Sequence, residues 1–73
     1  MKATLQFCLP EEAGEHKIAV QAADVLAIVN DLDRWLRNEI KHGNRPDDEH
    51  RGLQRCRDKL WDLIDDTGVD IDL

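Results

Sequence analysis

No serine and no tyrosine occur in this 73-residue chain, and its thiols number two, Cys8 and Cys56. Nucleophilic catalysis needs a hydroxyl, thiol or amine activated by a neighbouring base. Neither cysteine has such a base beside it in the sequence, and Cys56 falls on an apolar helical stripe, where cysteine acts as a small filler. The few glycines, Gly14, Gly43, Gly52 and Gly68, are scattered, so no phosphate-cradling loop is present. His16, His42 and His50 never stand at a ligand spacing such as C-x-x-C or H-x-x-x-H, so no metal or other cofactor is expected. Asp65 and Asp66 are adjacent and diverge around a helix, which makes them a poor acid–base pair. A non-enzymatic chain is the expectation.

Positive charge is outnumbered by negative. Ten bases face sixteen acids, for a net charge of −6 and a pI near 4.8. Direct nucleic-acid binding depends on clustered Lys and Arg and is not expected. Apolar runs are only a few residues long, too short for a bilayer. Met1 to Pro10 has no adequate signal-peptide core, so the expected location is the cytoplasm, with both thiols reduced.

What is present is periodicity. In residues 2–9, KATLQFCL, Ala3, Leu5, Phe7 and Leu9 alternate with polar side chains, the pattern of a half-buried strand. Pro10 ends that pattern. Glu11, Glu12 and Glu15 open a short helix over 11–20, with a break near Gln21–Ala23. In residues 22–42, and just before them, Ile18, Ala22, Val25, Val29, Leu32 and Leu36 step by three and four, an a/d seam. Leu26, Ile28, Trp35 and Ile40 widen it. Lys41, His42 and Gly43 close this helix. Pro46 and the acids Asp47, Asp48 and Glu49 start a second long helix over 47–67, with Leu53, Cys56, Leu60 and Leu63 on its seam. The tail 69–73 alternates again and suits a short closing strand. The expected fold is therefore α+β, mainly α, in one domain: an N-terminal strand, a short helix and a long antiparallel helical hairpin.

Folding the chain about the 43–46 turn pairs positions whose numbers add to about 89. Leu36 then meets Leu53, Val29 meets Leu60, Val25 meets Ile64, and Ile28 meets Trp61. Each helix still has a wider apolar face than one neighbour covers. A homodimer is the expected remedy, with Leu5, Phe7, Ile28 and Trp61 at its interface.

Charge is also uneven. Residues 1–46 hold six bases and seven acids, whereas 47–73 hold four bases and nine acids. Asp58, Asp62, Asp65 and Asp66 make the second helix an acidic surface suited to a basic protein patch. Trp35 lies near the turn opposite Gln54 and is the best aromatic contact candidate.

The opening MKATLQFCLPEE, the segment LDRWLRNEIKHG (Leu32–Gly43) and the ending RCRDKLWDLIDDTGVDIDL resemble a group of small proteins encoded by tailed phages and prophages. The resemblance implies a phage origin and action in the bacterial host cytoplasm. The leading expectation is an accessory protein that binds and modulates or inhibits a host protein, in the manner of a counter-defence factor. Asp58, Asp62, Asp65, Asp66 and Trp35 form the expected contact set. One alternative is an assembly factor acting by self-association. Another sequesters a nucleotide signal at an oligomer interface through Arg34, Arg37, Arg51 and Arg55.

Overall fold

A computed structural model describes residues 1–71. Two helices make up its regular structure: α1, Ala13–His42, and α2, Asp47–Thr67. They contact one another along their lengths as a helical hairpin. At 30 residues and about 1.5 Å per residue, α1 sets the long dimension of a shape measuring 52 × 29 × 20 Å.

The two rods follow from their ends and their faces. Glu15 lies in the first turn of α1, with Lys41 and His42 in its last, as the helix dipole favours. Pro46 precedes α2 in an extended conformation, and Asp47, Asp48 and Glu49 fill its first turn. At the reversal the Gly43 amide donates to the Glu39 carbonyl at 2.9 Å. A Cβ on Gly43 would run into that same carbonyl oxygen, so the close approach requires glycine. Arg45 then donates to Glu39 at 2.7 Å and to Glu49 at 3.4 Å, tying the turn to both helices. Helix α2 ends on Gly68, which adopts φ 72° and donates back to Ile64 and Asp65.

No strand occurs among the described residues, so the α+β expectation is corrected to a helical hairpin. Residues 2–9 carry strand periodicity but have no second strand to receive their backbone hydrogen bonds, and a lone strand is not stable. Instead the segment is pinned to the start of α1. Glu12 receives the Cys8 amide on its side chain at 3.0 Å, and its own amide donates to the Cys8 carbonyl at 2.8 Å. The Phe7 ring meets the His16 ring edge-on, with centroids 5.6 Å apart. The expected break near Gln21–Ala23 is absent: α1 runs unbroken from Ala13, so the separate short helix over 11–20 is absorbed into it. The proposed closing strand is likewise not seen. Val69 to Ile71 have no regular structure, and 72–73 lie outside the described residues. Asn30 Nδ2 donates to the Ile71 carbonyl at 3.1 Å, which draws the Ile71 side chain against the helices.

The interior is thin. Leu36 and Ile71, each 5% exposed, are the buried hydrophobic residues among those described. Leu26, Val29, Ile40, Leu53, Leu60 and Ile64 are half-buried around them.

Candidate interaction surface

Asp33 fixes how the helices face each other. Its Oδ1 accepts from Arg57 Nε at 2.9 Å and from Trp61 Nε1 at 2.8 Å, both across the hairpin. Burial alone would push this carboxyl up. The hydrogen bonds from Arg57 and Trp61, with the charges of Arg57 and Arg37, outweigh that and hold it below its ordinary value. The inward row of α1 is therefore Leu26, Val29, Asn30, Asp33, Leu36 and Ile40, all buried or half-buried.

That row differs from the seam read from the sequence. Val25 and Leu32, expected to face α2, are 54% and 47% exposed. Together with Ile18, Ile28 and Trp35 they form an outward stripe with steps of seven, three, four and three residues, one continuous row on a helix. Ile18 and Val25 share a groove of about 410 Å³ with Leu60 and Leu63 of α2, floored by Val29 and Ile71. Both helices thus give apolar side chains to one side of the hairpin. Along α2 this side runs on through Cys56, Leu60 and Leu63 into an open surface that Lys59, Asp58 and Asp62 also line.

The expected contact residues divide between surfaces. Asp58, Asp62 and Asp66 form a row at four-residue spacing on α2, with Asp65 beside it, and all four are exposed. Asp58 accepts from Gln54 Nε2 at 2.9 Å. Trp35 stands on α1, in the apolar stripe, so the structure does not bring it to the aspartates. Of the expected oligomer residues, Ile28 is 67% exposed, whereas Trp61 is half-buried with its indole N–H on Asp33. Ile28 and Trp61 are therefore not a pair. Leu5 is exposed and Phe7 rests on His16, both in the segment ahead of α1. Arg34 and Arg51 are exposed and each pairs within its own helix, with Asp31 and Asp48.

No family model, curated protein or solved structure matches this chain. Chemistry alone must therefore carry the functional reading. Among the described residues no three His, Cys, Asp or Glu side chains gather as a metal site. No helix there is long and apolar enough to cross a membrane. Asp33 is the residue that sequence reasoning missed. Its signal was available: Asp33 and Arg57 add to 90, which puts an acid opposite a base in the hairpin register.

Proposed function

We propose that this chain is a non-enzymatic binding protein that acts as a homodimer and docks the acidic surface of α2 on a basic patch of another protein. The thin interior carries the reading: among the described residues the buried side chains are Leu36 and Ile71, which leave little to enclose a reaction, and most polar and charged groups there are presented outward. The sequence supports it as well, through the absence of serine and tyrosine and the net charge of −6. The exposed Asp58, Asp62, Asp65 and Asp66 supply the electrostatic surface, whose effect is greatest on association rate and specificity. A phage setting, with a host protein as the target to be modulated or inhibited, rests on the resemblance of the opening, middle and closing segments. Trp35 belongs to the apolar stripe and is assigned to self-association in place of partner docking.

The test is affinity capture from bacterial lysate with the wild-type chain and with a variant carrying all four aspartates as asparagine. A basic protein retained by the wild type, released by moderate salt and lost by the variant is the expected result. The same proteins retained by both chains, at all salt concentrations, contradicts the acidic docking surface.

A further inference from the structure

The accessible surface is 6458 Å². A compact monomer of this 8.4 kDa mass exposes only about 4,600 Å² by the usual size scaling. The radius of gyration is 17.0 Å, against roughly 11 Å for a globular chain of this length. The excess, roughly 1,800 Å², is of the size that one subunit buries in an obligate dimer. Met1, Leu5, Leu9 and Val20 account for part of the exposed apolar surface, but its one continuous face is the outward stripe from Ile18 to Trp35, about 25 Å long at helical rise, with the adjoining Leu60 and Leu63 side of α2.

We infer that this face is covered by a second copy of the chain, stacked on it about a two-fold axis parallel to the helices. The inference rests on the homodimer reading above and assigns its interface and register. Under that symmetry α1 lies against the partner's α2, antiparallel, and the four helices form a closed bundle in which every neighbour is antiparallel. Because the axis adds no shift along the helices, the register inside one chain repeats between chains. Asp33 stands level with Arg57 within the hairpin, so position i of α1 meets the partner's position near 90 − i. The partner's Leu63 then enters between Val25 and Ile28. The partner's Cys56 enters between Leu32 and Trp35. The partner's Arg55 comes level with the Trp35 ring, where a guanidinium is favourable. Val29 and Leu60, half-buried in the single hairpin, become core residues beside the already buried Leu36.

The register is testable with the native cysteine. In a Cys8→Ala background, Leu32→Cys should form an intermolecular disulfide with the partner's Cys56 under mild oxidation, giving a two-chain band that Cys56→Ala abolishes. A bridge within one chain would migrate as a single chain, so the two-chain band reports the contact between chains alone. Ile28→Glu and Leu63→Glu should each weaken dimerisation at least a hundredfold, while Asp65→Asn on the acidic side leaves it unchanged. Circular dichroism separates lost association from lost folding, and the disulfide assay stands if a glutamate variant unfolds. A wild-type dimer that keeps its affinity in both glutamate variants and forms no 32–56 bridge overturns this interface but leaves the homodimer reading intact. A wild-type chain that is monomeric at millimolar concentration overturns both and assigns the face to a different protein.

Discussion

Asp33 shows how one polar residue orients a hairpin. An apolar stripe as broad as that of α1 has no unique inward side. A half-covered carboxylate that accepts two hydrogen bonds from α2 selects one. Asp33→Ala leaves the Arg57 guanidinium and the Trp61 indole without their acceptor. It should cost about 2 kcal/mol in urea unfolding, more than a surface substitution such as Asp65→Ala. The same group gives a pH signature. Its folded pKa lies below its ordinary value of about 4, so its contribution is present above that pH. The contribution is lost as pH falls through the lowered folded value. The thermal midpoint of the wild type should therefore drop more steeply below pH 4 than that of Asp33→Asn. Parallel curves for the two proteins would remove Asp33 from this role. The residue escaped sequence reasoning because periodicity was sought among apolar positions. Its partnership with Arg57 appears only when charges are carried through the same register.

At the scale of elements, the hairpin was legible and the strand was not. Gly43, Pro46 and the acids at 47–49 are local signals that need nothing beyond their own helix ends, and the reversal falls there. A strand is not a local object. Residues 2–9 have the right alternation but lack a neighbour, and Phe7 is anchored by His16 instead. The break expected in α1 failed for a related reason: Gly14 and the alanines near 22 weaken helix propensity slightly or not at all, and contact with α2 carries the helix through. Gly52 within α2 and Gly68 capping its C-terminus should respond oppositely to alanine. At Gly68, with φ 72°, Gly68→Ala should lower stability by about 1 kcal/mol. At Gly52, inside the helix with open space at its Cβ position, Gly52→Ala should raise it by roughly 0.5–1 kcal/mol. Chemical denaturation of the two variants checks both signs.

For the whole molecule, the sequence showed that each helix holds more apolar surface than one neighbour hides, but not which side stays open. Trp61 and Ile28 looked equivalent on the seam, yet one is spent inside the hairpin on Asp33 and the other faces outward. The α1 stripe with Leu60 and Leu63 carries the proposed self-association, and the aspartates of α2, of which Asp58 and Asp62 border the Cys56–Leu63 surface, carry the proposed docking on a basic partner. Salt should act on the two oppositely. Screening weakens docking through Asp58, Asp62, Asp65 and Asp66, while association through the apolar side persists or strengthens. Sedimentation equilibrium of the unmodified protein at micromolar to millimolar concentration tests the central claim most directly. A mass twice the 8.4 kDa of one chain, falling only on dilution, is the expected result. A single species of one-chain mass throughout that range would contradict it.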